Sequence, residues 1–187
     1  DVTFLYDTFQ TPEDHAMKDN IILIGMPGCG KSTIGVLLAK NLAYGFLDSD
    51  LVIQEQSGRK LQDMIDEMGP EAFSAFEDAV NATLIPHNTV IATGGSAVYG
   101  TRAMTHFKEI GTVVYLKASF ETIEQRIRNF ETRGIVIPEG QTFRDVYDER
   151  TALYEKYADI TVSVDADKAG EADIWDVVEA ITAKLKD

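Results

Sequence analysis

One cysteine, Cys29, occurs in 187 residues. No disulfide can therefore close within the chain, and a reducing, intracellular setting is expected. Positive charge is also scarce, with 17 Lys and Arg against 31 Asp and Glu and a formal net charge of −14. Nucleic acid and anionic membrane surfaces would repel such a chain, which excludes both as partners. Any basic residue that does sit in a site carries correspondingly more meaning. No apolar run approaches the roughly 20 residues that span a bilayer, and no charged and apolar pair of segments marks a signal peptide. The expectation is a soluble, cytoplasmic protein. His15, His87 and His106 are scattered without ligand spacing. They read as ordinary surface or core histidines, and no zinc site is expected. There is no internal repeat and no low-complexity segment.

What is present is enough for one domain with its own core. Residues 17–187 read as that domain. Residues 1–16 precede a natural-looking start at Met17 and read as an upstream extension, an added arm or a cloning remnant. Ile21 to Ile24 is a short apolar run suited to a buried parallel strand, and Ile34 to Ala43 follows with helical spacing. Between them, Gly25-Met26-Pro27-Gly28-Cys29-Gly30-Lys31-Ser32-Thr33 forms a complete G-x-x-x-x-G-K-[ST] phosphate loop. Glycines let backbone N–H groups turn inward around a phosphate, and the new helix adds its dipole. A nucleoside triphosphate is expected on Gly28, Cys29, Gly30, Lys31, Ser32 and Thr33, with Lys31 reaching the β- and γ-phosphates and Ser32 ligating Mg²⁺. Cys29 reads as a position that needs a small residue.

Downstream, Tyr44 to Asp50 reads as a turn and short strand ending in two acids, followed by a helix over Leu51 to Ser57. Helices are expected over Leu61 to Met68 and Glu71 to Leu84, broken at Gly69-Pro70. A strand at Thr89 to Thr93 closes on Gly94-Gly95. Then come a helix over Arg102 to Glu109, a strand at Thr112 to Leu116 and a helix over Phe120 to Phe130. Residues 131–141 carry glycines, a proline and Arg133, and read as a mobile loop; with the end of the preceding helix they form a candidate lid at about 129–141. A helix over Phe143 to Tyr157, a strand at Ile160 to Val164 and a helix over Glu171 to Lys186 complete the chain. This alternation specifies an α/β fold with a parallel sheet covered on both faces and ligands at the carboxyl ends of the strands.

Three strand ends then converge: the phosphate loop, Asp48-Ser49-Asp50 and Thr93-Gly94-Gly95-Ser96. Two carboxylates at i and i+2 can divide the labour of phosphoryl transfer, Asp48 towards the metal and Asp50 towards an acceptor hydroxyl. Capping of the next helix explains the same acids. Gly94-Gly95 can offer N–H groups to a ligand carboxylate, and an ordinary tight turn also explains it. Arg133 can close over the transferring phosphate as a built-in arginine finger, although surface loop arginines are common. Arg150 can clamp a carboxylate bidentately or pair with Asp148 or Glu149 beside it.

The phosphate loop with Ile34-Gly35, Leu47-Asp48-Ser49-Asp50, Ala92-Thr93-Gly94-Gly95, Val113-Val114-Tyr115-Leu116, and Arg150 with Leu153-Tyr154 together resemble the shikimate kinase family. The resemblance runs from about Asn20 to the C-terminus. It implies a monomeric, three-layer α/β/α P-loop kinase with a five-stranded parallel sheet in the order 2-3-1-4-5. It also implies ATP- and Mg²⁺-dependent phosphorylation of the 3-hydroxyl of shikimate, in aromatic amino-acid biosynthesis. By matching motifs, Lys31 and Ser32 serve ATP and Mg²⁺, Asp48 assists the metal, and Asp50 holds and helps deprotonate the hydroxyl. Gly94 and Gly95 approach the substrate carboxylate, Arg150 pairs with it, Arg133 is the lid arginine and Arg126 stacks on adenine.

Three motifs depart from the family pattern. Its Phe-Arg-x-x-Glu is here Phe73-Ser74-Ala75-Phe76-Glu77, so Ser74 replaces a carboxylate-gripping cation. Loss of such a contact costs about 1.5–3 kcal/mol, roughly ten- to a hundred-fold in affinity. The family's Gly-Gly-Gly becomes Gly94-Gly95-Ser96, and its lid Arg-Pro-Leu becomes Arg133-Gly134-Ile135. Two other readings stay open: a paralogue phosphorylating another small polyol or hydroxy acid, and a non-catalytic nucleotide-binding module.

Overall fold

The computed structural model describes residues 18–128, 137, 140–165 and 173–186. Five parallel strands, β1 (Asn20–Ile24), β2 (Gly45–Asp48), β3 (Thr89–Ala92), β4 (Gly111–Lys117) and β5 (Ile160–Ser163), form one sheet in the order β2-β3-β1-β4-β5. This is the order that the resemblance implies. Ile22 of β1 lies between Ile91 of β3 and Val113 of β4 in register. Helices cover both faces of the central strands, so every residue of β1 and β3 is buried and neither strand alternates. The core joins Ile22, Leu23, Val114 and Leu116 of the sheet to Phe107, Tyr154 and Ile181 of the helices. Among the described residues, no helix is long and apolar enough to cross a membrane.

The helices are α1 (Lys31–Leu42), α2 (Ser49–Ser57), α3 (Leu61–Asn81), α4 (Thr101–Ile110), α5 (Phe120–Arg128), α6 (Phe143–Tyr157) and α7 (Ile174–Lys184). Gly35 brings α1 close to the sheet, because a Cβ there would stand 2.7 Å from Phe46 Cε2. The expected break in α3 falls at Gly69, whose φ of 80° and ψ of 164° lie outside the helical range. Several boundaries differ from expectation. Helix α2 begins at Ser49 rather than Leu51, because Asp48 caps it by accepting from the Asp50 N–H. Helix α3 ends at Asn81 rather than Leu84, where Thr83 and Leu84 donate to carbonyls three residues back and tighten the turn. Helix α7 starts at Ile174, after Asp173 accepts from Trp175 N–H. A short 3-10 turn at Ala97–Tyr99, absent from the sequence reading, follows β3. A smaller apolar cluster of Ile53, Met64, Phe73 and Val80 joins α2 to α3 at one side of the sheet.

Asn20 pins the N-terminal edges of three strands together. Its amide donates to Pro86 O at 2.8 Å and Ile110 O at 2.9 Å, and its carbonyl accepts from Thr89 N–H at 3.1 Å. Asn20→Ala leaves these backbone groups without partners and is expected to cost about 2–3 kcal/mol. Chemical denaturation of the variant reads this as a lowered midpoint with an unchanged slope.

Candidate active site

The phosphate loop is a backbone structure. Gly25, Gly28 and Gly30 hold φ values of 147°, 82° and 105°, which L side chains rarely adopt. A Cβ on Gly25 would also stand 2.7 Å from Leu116 O. Cys29 turns its side chain into the core, 1% exposed, so its contribution to a ligand is through the backbone alone. Lys31 opens α1 and is 8% exposed, with Nζ donating to Gly25 O at 2.7 Å and Met26 O at 3.0 Å. Its charge is thus held inside the loop. Ser32 and Thr33 face outward. Arg126, on α5, donates through Nη1 to Gly28 O at 3.3 Å and Cys29 O at 3.4 Å, so its guanidinium is seated on the loop backbone.

Asp48 does two things at once. One oxygen caps α2, and the other accepts from Ser32 Oγ at 2.8 Å. Capping and site chemistry, alternatives in the sequence, are compatible because a carboxylate has two oxygens. Asp50 lies in the first turn of α2 rather than at a strand end. Burial pushes its pKa up to about 6, the neighbouring Asp48 carboxylate adds to the rise, and Lys31 opposes it.

The Gly94-Gly95 turn is wedged into this cluster. A Cβ on Gly94 would stand 2.5 Å from Glu77 Oε1 and 2.8 Å from Asp50 Oδ1, and one on Gly95 would stand 2.5 Å from Pro27 Cδ. The Gly94 N–H donates to Ser49 Oγ at 3.3 Å. It is therefore already engaged, which differs from the expectation that it faces a ligand carboxylate. Tyr154 donates to Gly95 O at 2.7 Å and stacks on Tyr115 with ring centroids 5.1 Å apart. Arg150 lies one helical turn before Tyr154 on the same face of α6, so this anchor also positions the arginine. Arg150 is 5% exposed, 5.4 Å from the centre of the Tyr99 ring, with Nε 3.4 Å from the Tyr99 hydroxyl. Asp148 pairs instead with Arg144, and among the described residues Arg150 makes no ion pair.

Sequence reading named Glu77 only as part of a motif and missed its place in the site. It is 2% exposed and accepts from Ser96 Oγ at 2.7 Å. Burial pushes its pKa up to about 7, Asp50 and Asp78 add to this, and Ser96 and Arg150 oppose it. The available signal was helical spacing: Phe73, Glu77 and Val80 share one face, and an acid on a buried stripe is unusual. Tyr99, the platform for Arg150, gave no signal, because the turn that carries it was not foreseen.

Lys31, Ser32, Asp50, Ser74, Glu77 and Arg150 line one cavity of about 660 Å³. Arg126 and Asp48 stand beside it rather than in its lining. Arg133 and most of 129–141 lie outside the described residues.

A phosphate loop leading from the central strand of a 2-3-1-4-5 sheet, opposite a buried carboxylate and arginine, defines a P-loop phosphotransferase. The family model described as shikimate kinase matches residues 27–185. A shikimate kinase of Chlorobium chlorochromatii is 34% identical over 177 residues, covering 89% of this chain and 90% of that protein. One from Paracidovorax citrulli is 38% identical over 154 residues, covering 80% and 84%. Among solved structures, shikimate kinase from Acinetobacter baumannii in complex with shikimate superposes with a TM-score of 0.77 at 28% identity, covering 91% of this chain and 94% of that one. The chain belongs to the shikimate kinase family, whose members are ATP-using phosphotransferases with an alcohol acceptor.

Because Glu77 titrates near 7 when folded and near 4.5 otherwise, the folded protein holds a proton that the unfolded chain has lost between those values. Its contribution to stability therefore falls as pH rises through that window. Glu77→Gln removes the fall. Thermal denaturation at pH 5 and pH 8 should show the variant gaining on the parent at the higher pH; an equal difference at both would mean that the carboxyl titrates normally.

Proposed function

We propose that this chain transfers the γ-phosphoryl group of ATP to a hydroxyl of shikimate. The observation that supports this most is the convergence of Lys31, Asp50 and Arg150 on one cavity beside the phosphate loop. The N–H groups of residues 28–33 and the start of α1 cradle the phosphates, and Lys31 exchanges its loop carbonyls for phosphate oxygens. The Ser32 hydroxyl and Asp48 carboxylate, 2.8 Å apart, are hard oxygen donors of the kind that Mg²⁺ takes. These two residues would hold that cation, which when bound offsets phosphate charge.

Asp50 accepts the proton of the acceptor hydroxyl as its oxygen bonds to the γ-phosphorus. The bond from that phosphorus to the bridging oxygen breaks, and its electron pair leaves with ADP. A carboxylate with a pKa of about 6 is a stronger base than an ordinary aspartate and is still largely ionised at neutral pH. Arg150, preset by Tyr99 and free of ion pairs among the described residues, binds the acceptor carboxylate. Arg126 supports the loop at the nucleotide side. Arg133 supplies charge over the transferring phosphoryl group in this scheme.

Formation of ADP in a coupled assay should depend on shikimate. Lys31→Ala should lower kcat by about 10²–10³, and Asp50→Asn by about 10²–10⁴. For the parent, kcat should rise with pH through about 6 and level off above it, since only ionised Asp50 accepts the proton. The Asp50→Asn variant should lose that limb. ADP release no faster with shikimate than without it would refute the acceptor.

A further inference from the structure

The acceptor half of the cavity keeps the acid of the family's Phe-Arg-x-x-Glu pattern, Glu77, but has Ser74 in place of its cation. Helix α3 contributes Phe73, Ser74 and Glu77 to the lining; of the two buried cations that share the cavity, Lys31 is held in the phosphate loop and Arg150 is the one whose field reaches Glu77. Arg150 leans on Tyr99 rather than on Glu77. Glu77 is satisfied on one side only: Oε2 accepts from Ser96 Oγ, whereas Oε1, directed at Gly94 beside Asp50, accepts no hydrogen bond among the described residues. A carboxylate has about four acceptor positions and a buried one gains from filling them. The free oxygen therefore calls for a donor that arrives with the ligand. A second carboxylate would be repelled there by Glu77 and Asp50, and a hydroxyl would not.

We propose that Glu77 and Ser96 form a subsite that reads a non-reacting hydroxyl of the acceptor, so that this chain selects its acceptor by hydroxyl pattern with a single cation, Arg150, on its carboxylate. Ser74 and Ser96 act together in this arrangement. With no cation at position 74, Glu77 has no opposite charge on its own helix face, and the Ser96 hydroxyl supplies the hydrogen bond that keeps the acid in place. The acceptor class is a small polyhydroxylated acid whose carboxylate meets one cation and whose affinity also depends on the hydroxyl next to Glu77. A rise of the Glu77 pKa to about 7 makes this hydroxyl contact strengthen as pH rises through neutrality, because the ionised form is the better acceptor. The groups facing it are Asp50, Asp78, Ser96 and Arg150.

This inference rests on the acceptor reading above, and its test separates the two. The parent, Ser74→Arg, Ser96→Gly and the double variant are compared for shikimate, its carboxamide and its singly deoxygenated analogues, by turnover with ATP and Mg²⁺ and by calorimetric binding. The parent should prefer shikimate over the carboxamide by no more than the roughly ten- to hundred-fold of one charge-assisted contact, and Ser74→Arg should widen that preference at least ten-fold. One deoxy analogue should bind the parent at least five-fold more weakly than shikimate, and Ser96→Gly should erase that difference, in KM rather than kcat. The effects of Ser74→Arg and Ser96→Gly should be non-additive, since both act on Glu77. Additive effects, or deoxy analogues that all bind the parent as shikimate does, overturn the subsite. Shikimate that binds with these preferences but yields no ADP upholds the subsite and overturns the acceptor reading; shikimate that does not bind at all overturns both.

Discussion

The cleft is organised around two missing side chains. Gly94 leaves room for the Glu77 and Asp50 carboxylates to crowd one point, and Gly95 lets the turn lie against Pro27 of the phosphate loop. Any Cβ at either place would force these groups apart. The same turn is tied to α2 through Ser49 and to α6 through Tyr154, so four elements take their positions from one short stretch of backbone. Close approach here links the nucleotide side of the site to the acceptor side, and a displacement on one side would be transmitted to the other through rigid contacts.

Electrostatics follow from that geometry. Burial removes water from Asp50 and Glu77, the Asp48 carboxylate acts on Asp50 and Asp50 acts on Glu77, so both hold protons to higher pH than free acids do. Lys31 limits the rise at Asp50, and Arg150 limits it at Glu77. Neither cation is neutralised by an ion pair among the described residues: Lys31 rests on loop carbonyls and Arg150 on Tyr99. Held by neutral partners, both keep their charge available to phosphate and carboxylate ligands. This is a preorganised field rather than a set of salt bridges.

Much of this was legible in the order of residues. The phosphate loop is a local motif whose glycines and Lys31 act through adjacent backbone, so spacing alone identifies it. The break at Gly69-Pro70 is equally local, and Phe143–Tyr157 was readable to the residue because Thr142 and Asp145 form a reciprocal cap at its start. The start of α2 was misplaced by two residues because Asp48 looked like the end of a strand and is also a cap. Glu77 and Tyr99 were harder, since their roles depend on Ser96 and Arg150, which lie far away in sequence.

By itself, the sequence determined the alternation of strands and helices, the phosphate loop and the family, because each depends on neighbours within a few residues or on a long ordered set of motifs. Only the tertiary structure decided which oxygen of Asp48 serves the helix and which serves Ser32, that the Gly94 N–H is engaged by Ser49, and that Arg150 answers to Tyr99 rather than to Asp148. It also decided that Glu77 keeps one oxygen without a donor among the described residues. Hydrogen bonds are directional and short, so partners 16 to 51 positions apart in the chain are chosen by packing and not by composition.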